Sequence, residues 1–531
     1  MVIALESKLI RPCSHNSVCI LIIVELLAMS FRSLGGFEKK ILSQSLEGHR
    51  NGVVFGAMYS TTPEEWSDDA TLLTYKDSRL NLSLLSRTLA KMISDHVELF
   101  TTINEKLEFA PVKEIKAEEV INAVTFGSYK DEFVNCRFGA PPYLLRHIFN
   151  QTTFQPGSGN VLWQIYVVDE TLVVFHGHDV LFDIFSAANF HKIFLQTLNS
   201  ISKSGSKLST IFKLEKAVLP PFPKSIYDNA KLRLPAKAAD LFNLQTQSFF
   251  KSLYFNAVKK PLDYINSNPP QQLKEYRTRY ADILRTDNNL CGTTIFGRIL
   301  PKRLESLDCI FKQQNICLKS FVCGITMLCL KPIVKNYTGS ITFCVPVDLR
   351  SSLEASSEFG MFYKDIRVEC PLSLIDDKNF NSLTVYNGYD SSAVKMPEKD
   401  PGYKEQLLEY QFKQVTDHVV AALRQRMKAW EKFGFNDDDI KRMKFGSDDT
   451  ATNTKLIQIN DVSDIPVDAH EDISGKFHMR ELNMTQSLKP GQLMSLSYTH
   501  SEKGLDICIH YPDGYNMESF VECFQSFIED A

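Results

Sequence analysis

Two imidazoles and two carboxylates fall within eight residues at His176, His178, Asp179 and Asp183. They sit between the apolar runs Leu172-Val-Val-Phe175 and Val180-Leu-Phe182. An imidazole can take a proton from a hydroxyl or an amine near neutral pH and hand it on. A nearby carboxylate can orient that ring or pair with a cation. Four such groups held among apolar residues are costly to bury without partners. The cluster therefore implies either acid–base chemistry or a buried polar network.

The elements around the cluster must position it. Leu172 to Phe175 is rich in strand formers, and the polar residues that follow break the strand abruptly. Asp183 is of a type that caps helices, and Ile184, Ala188, Phe190, Phe194, Leu195 and Leu198 recur at helical spacing behind it. Leu162 to Val168 reads as a preceding strand, joined through Asp169, Glu170 and Thr171 as a hairpin. If the strand stays regular, neighbouring side chains face opposite sides, so His178 and Asp179 cannot both meet one cleft. A bulge at Gly177 would re-aim His178.

Further along, Gly52 to Tyr59 reads as a strand and Leu80 to Phe100 as an amphipathic helix carrying a solvated His96. Leu318 to Leu330 reads as a core helix, Ser340 to Arg350 as a strand, and Glu409 to Phe433 as a long helix. The segments beginning at Glu481, Leu493 and Leu505 read as a meander of strands before a final amphipathic helix from Met517 to Ile528.

A chain of 531 residues suits two lobes sharing one interface. The expected parts are an apolar extension at 1–30, a first lobe at 31–210, a crossover at 211–289 and a second lobe at 290–531. A net charge of −4 gives no reason to expect nucleic acid as a partner. The twelve cysteines contain no CxxC pair and sit mostly in apolar runs, which implies reduced core thiols and no metal site. Val18 to Met29 is apolar apart from Glu25 and shorter than the roughly 20 residues that span a bilayer. It is either a membrane-contacting extension or a non-native stretch ahead of a start at Met29.

The segment from His178 to Ile184 resembles the H-H-x-x-x-D-G motif of the coenzyme-A-dependent acyltransferase superfamily. The nearest likeness is to the fungal alcohol acetyltransferase family and its N-acetyltransferase relatives. Arg32-Ser-Leu-Gly-Gly-Phe-Glu38 is similar to that family's opening R-x-L-G-x-x-E, and the strand led by Trp163 is similar to its P-L-W-R strand. Pro346-Val-Asp-Leu-Arg350, followed by Phe359-Gly-Met-Phe362, is similar to the P-V-D-L-R … G-x-F element. The resemblance implies a mixed α/β (α+β), two-lobed chloramphenicol-acetyltransferase-like fold, with a tunnel between the lobes. It also implies a salt bridge from Arg350 to the motif aspartate, Asp183.

Aligning Asp183 on the motif aspartate puts His178 at the first histidine and Asp179 at the second, catalytic one. Ile184 then stands where the family has glycine. The resemblance implies acetyl-CoA as co-substrate, with no permanently bound cofactor. It implies an alcohol, or a long-chain amine, as acceptor, on a monomer. A cytoplasmic location is expected, with peripheral attachment to the endoplasmic reticulum or a lipid droplet as the alternative. The site residues are then His178 as base, Asp179 and Asp183. A carboxylate with a reference pKa near 3.9 is a weaker base than an imidazole near 6.5, by roughly 3.5 kcal/mol. Two outcomes stay open: acetyl transfer with His178 as base, or a relative that binds coenzyme A or a lipid without turning it over.

Overall fold

The computed structural model describes residues 31–48, 50–61, 79–125, 140–151, 154–216, 222–223, 225, 292–334, 339–353, 357–376, 385–386, 393–394, 403–433, 456–463, 476–489, 492–501, 504–513 and 517–529. The apolar stretch at 18–29, most of the expected crossover and the polar stretch at 436–453 lie outside these residues.

Helix α1 (Gly36–Leu46) opens the first lobe. Its start is fixed by Glu38, whose carboxylate accepts from the Gly35 backbone N–H and binds Arg32 through two bonds of 2.7 Å. Strand β1 (Val53–Ser60) follows, then α2 (Leu82–Asp95), capped by Asn81 accepting from Leu84 N–H. Next come β2 (Ile121–Val124), α3 (Pro142–Gln151), β3 (Trp163–Val168), β4 (Leu172–Gly177) and α4 (Ile184–Ser200). Strands β3 and β4 form the expected hairpin. Asp169 and Glu170 both take positive φ in its three-residue loop, where Thr171 N–H donates back to Val168 O.

The second lobe runs through β5 (Gly292–Ile299), α5 (Pro301–Gln314), α6 (Leu318–Val334), β6 (Ser340–Asp348) and β7 (Tyr363–Pro371). It continues with α7 (Tyr403–Phe433), β8 (Leu456–Asp461), β9 (His478–Gln486), β10 (Gln492–Ser501), β11 (Gly504–Pro512) and α8 (Glu518–Glu529). No helix among the described residues is long and apolar enough to cross a membrane.

Two sheets organise the fold. The first has the order β9-β1-β4-β3-β2, and the second β5-β11-β10-β8-β6-β7. One expectation is corrected here. The segment beginning at Glu481 is not the first strand of the C-terminal meander. As β9 it leaves the second lobe and pairs antiparallel with β1 from Val53 to Ser60. A boundary at residue 290 therefore does not separate the two sheets. Strand β9 is buried along nearly its whole length, so no solvated face marks which sheet it joins. The chain returns to the second sheet after Gln486, and Gln486 and Lys489 border the cavity between the sheets.

Two glycines in the first lobe take left-handed backbone, and one of them holds the entry to the first sheet. Gly52 has φ +85°, and a Cβ there would lie 2.3 Å from the Gly177 carbonyl oxygen. Gly159 has a similar φ, +82°, with nothing near it. Gly52→Ala therefore combines backbone strain with a backbone clash and should cost about 2 kcal/mol or more. Gly159→Ala should cost about 1 kcal/mol. Thermal melts of the two variants check this: equal losses would contradict the close approach of Gly52 to β4.

Candidate active site

Strand β4 delivers the polar cluster in regular register. Gly177 pairs with Val53 on one side and Trp163 on the other, and His176 pairs with Val54 and Gln164. No bulge interrupts the strand. Gly177 has a packing reason instead, since a Cβ there would come within 2.9 Å of the Phe175 and Phe182 rings. His178 continues the ladder, its N–H donating to Leu162 O at 2.9 Å.

The helix cap is the most tightly fixed part. Asp183 is the N-cap of α4, and its Oδ1 accepts from the Ser186 backbone N–H and from Ser186 Oγ. Arg350 Nη2 donates to the same oxygen at 2.8 Å, and Phe362 N–H donates to Oδ2 at 2.9 Å. Arg350 also donates to the Gly360 and Glu358 carbonyls and to Asp348. Burial works against the Arg350 charge, yet the Asp183 and Asp348 carboxylates hold it above its ordinary value. A single bridge between Phe182 and Gly360 completes the junction.

His178 stands apart from this junction and from the cavity beside it. Its Nδ1 accepts from the Val180 backbone N–H at 3.0 Å, so in the neutral ring the proton is on Nε2. Nε2 lies 3.0 Å from Ser45 Oγ at the end of α1 and therefore donates to it. Both ring nitrogens are engaged, and neither offers a lone pair to a reacting hydroxyl or amine. Burial lowers its pKa to about 4, with Asp179 opposing and Arg50 reinforcing the shift. The expected base is thus turned away from the seam because the strand lacks the bulge that would re-aim it.

His176 is further removed. Its Nε2 is 2.8 Å from the Asn51 carbonyl, to which it donates, leaving Nδ1 without a partner among the described residues. Phe154 covers the ring at 4.6 Å, and burial lowers its pKa to about 4. His96, expected in solvent, is half-buried with its ring edge-on to Phe359.

Asp179, at the position of the motif's second histidine, does face the seam. Arg50 Nε donates to its Oδ2 at 2.7 Å, and both side chains are 7% exposed. Burial opposes the Arg50 charge, and Asp179, Tyr363 and Asp365 together outweigh it, keeping the guanidinium above its ordinary pKa. The pair borders a small cavity of about 20 Å³ between the two sheets. Its polar wall comprises Tyr363, Gln458, Asn460, Gln486 and Lys489, and its apolar wall includes Val53, Phe182, Ile184 and Met361. No imidazole among the described residues lines it. Ile184, where the motif has glycine, presents its side chain to this cavity.

Sequence reasoning passed over Arg50, Tyr363, Gln458, Asn460 and Lys489. Gln458 and Asn460 carried a signal, because they alternate with Ile457 and Ile459 along a strand whose described core residues are all buried. Polar residues on one face of a doubly covered strand point to an interior site. Arg50 carried none, being a single arginine ahead of a strand. No group of three metal-ligating side chains occurs among the described residues.

Two sheets exchanging a strand across a seam, with the motif loop on one lip, define the two-lobed fold of the acyltransferase and condensation-domain class. A trichothecene 15-O-acetyltransferase from Fusarium sporotrichioides shares it at a TM-score of 0.56 and 11% identity, over 94% of this chain and 95% of that one. The first condensation domain of the calcium-dependent antibiotic synthetase does so at 0.52 and 12%, over 94% and 95%. A family model for alcohol acetyltransferase matches residues 75–371, more than half of the sequence. The chain belongs to the alcohol acetyltransferase family. It is also 49% identical over 521 residues to the PSTB2-interacting protein 1 of Saccharomyces cerevisiae, covering 94% of this chain and all of the relative.

His176, His178, His191 and His510 all have pKa values lowered to about 4, in each case chiefly by burial. Unfolding returns each toward 6.5, so below that pH the unfolded chain binds more protons. Their contribution is complete above pH 6.5 and is lost as pH falls toward 4. Asp506, raised to about 6 chiefly by burial, opposes them over part of that window. The melting temperature should therefore fall steadily between pH 6.5 and 4.5. A flat profile would contradict the neutral, buried state of these rings.

Proposed function

We propose that this protein keeps the acyltransferase scaffold of its family but does not run acyl transfer at a useful rate, and that its seam binds a ligand instead. One observation carries the reading. At the position of the motif's catalytic histidine, Asp179 is tied to Arg50 at 2.7 Å in a buried pair. Acyl transfer from a thioester needs a base with a free lone pair beside the attacking group. Asp179 has one oxygen committed to a guanidinium, and neither His176 nor His178 lines the cavity beside it.

A second reading rests on the Asp183–Arg350 junction, whose bonds hold the motif loop in shape. On that reading the protein is an acetyl-CoA-dependent acetyltransferase. It would act on an alcohol or a long-chain amine, with His178 rotating to serve as base. Rotation would cost the bonds to Val180 and Ser45.

Thiol release separates the two. Purified full-length protein, given acetyl-CoA and a panel of alcohols and long-chain amines, should release thiol at background, and His178→Ala should match wild type. Combining Asp179→His, Arg50→Gln and Ile184→Gly should raise the rate by about 100-fold or more, the usual worth of a positioned base. Acceptor-dependent release by wild type that disappears in His178→Ala would establish the acetyltransferase reading.

A further inference from the structure

The cavity beside Asp179 has hydrogen-bonding capacity left over, of a kind that describes its occupant. Among the described residues, the Arg50 side chain makes one hydrogen bond, from Nε to Asp179, so the Nη groups of its planar fork are uncommitted. Lys489 reaches in from the return between β9 and β10. Its Nζ is held loosely, 3.8 Å from Asp365 Oδ2 and 3.5 Å from Gln458 Oε1. Burial works against the Lys489 charge, and Tyr363 and Asp365 offset it, so the ammonium stays charged beside the cavity. Tyr363 lies close enough to both cations to feel their charge.

The cavity also has an acceptor in want of a donor. Asn460 is fully buried and lines the cavity. Its amide nitrogen donates to Ser495 and Ser497, and its Oδ1 has no partner among the described residues. A buried carbonyl oxygen left unpaired is costly unless something supplies an N–H or O–H.

We propose that the cavity binds a phosphate monoester carrying a neighbouring hydroxyl or amine, with Arg50 and Lys489 on the phosphate oxygens and Asn460 Oδ1 on the donor. This deepens the reading above, on which no thioester is processed beside Asp179. Arg50 comes from the first lobe and Lys489 from the strand return, so the two cations approach one ligand from different sides. A tetrahedral group with several terminal oxygens can meet both, whereas a flat carboxylate offers only two. Asp179 holds Arg50 in place from behind. The acyl end of coenzyme A carries no phosphate and has no match here. A soluble ester and a lipid headgroup share this chemistry, and the apolar wall of Val53, Phe182 and Met361 is the feature that would distinguish them.

The test is calorimetric titration of the full chain with inorganic phosphate, glycerol 3-phosphate, octyl phosphate and, as control, acetate. The three phosphates should bind with one-to-one stoichiometry, and acetate at least tenfold more weakly. Tighter binding of octyl phosphate assigns a lipid headgroup, and tighter binding of glycerol 3-phosphate a soluble ester. Lys489→Gln should weaken binding at least tenfold. So should the joint change Arg50→Gln with Asp179→Asn, which leaves neither partner as a lone buried charge. Circular dichroism checks that both variants fold. No saturable phosphate binding, or binding unchanged in Lys489→Gln, overturns the proposal even if wild type releases no thiol. Acceptor-dependent thiol release would instead overturn the reading it rests on.

Discussion

The contact between Asp183 and Arg350 sets the rest of the structure. It joins the first lobe to the second through one carboxylate that also caps α4 and accepts from Phe362 N–H. A buried ion pair is weak evidence of stability, because desolvation offsets most of the attraction. Removing one partner is costly, however, since it strands a charge. Such a pair fixes geometry more than it adds free energy. Here it fixes where the loop after β4 sits against the segment from Glu358 to Tyr363, and hence which side chains border the seam.

Within that frame the chemistry has moved. The position that the motif reserves for an imidazole holds a carboxylate, and the carboxylate holds a guanidinium. The adjacent imidazole is buried outside that cavity, bonded to Ser45, with its tautomer set by Val180 N–H. These changes are mutually consistent. An arginine beside a catalytic histidine would oppose its protonation, whereas an arginine beside an aspartate is satisfied. The amides of Gln458, Asn460 and Gln486 extend the polar lining across the second sheet. What results is a polar cavity bordered by a carboxylate–guanidinium pair inside an acyltransferase fold.

Much of the fold was legible in the sequence because periodicity reports burial. The β3–β4 hairpin, the capped α4 and the core helix α6 all follow from apolar spacing and from the residue at the cap. The Arg350–Asp183 contact could be anticipated only from the resemblance, since the two residues are 167 positions apart. Strand β9 could not be assigned to its sheet, because a strand covered on both faces looks alike in either. The direction of His178 followed from strand alternation once a bulge was excluded, but the bulge itself was undecidable from Gly177. That glycine serves the Phe175 and Phe182 rings. Arg50 was invisible for a plainer reason: its partner is 129 residues away and no local pattern links them.

The state of the His178 ring is the most direct test of this account. Protein labelled with nitrogen-15 in histidine, with His178→Gln to assign the signal, reports by long-range proton–nitrogen NMR which ring nitrogen carries the proton. The account predicts a neutral ring protonated at Nε2 from pH 8 down to pH 5.5. A ring that titrates near 6.5, or one whose proton sits on Nδ1 with Nε2 open, would contradict it and put a working base back at the seam.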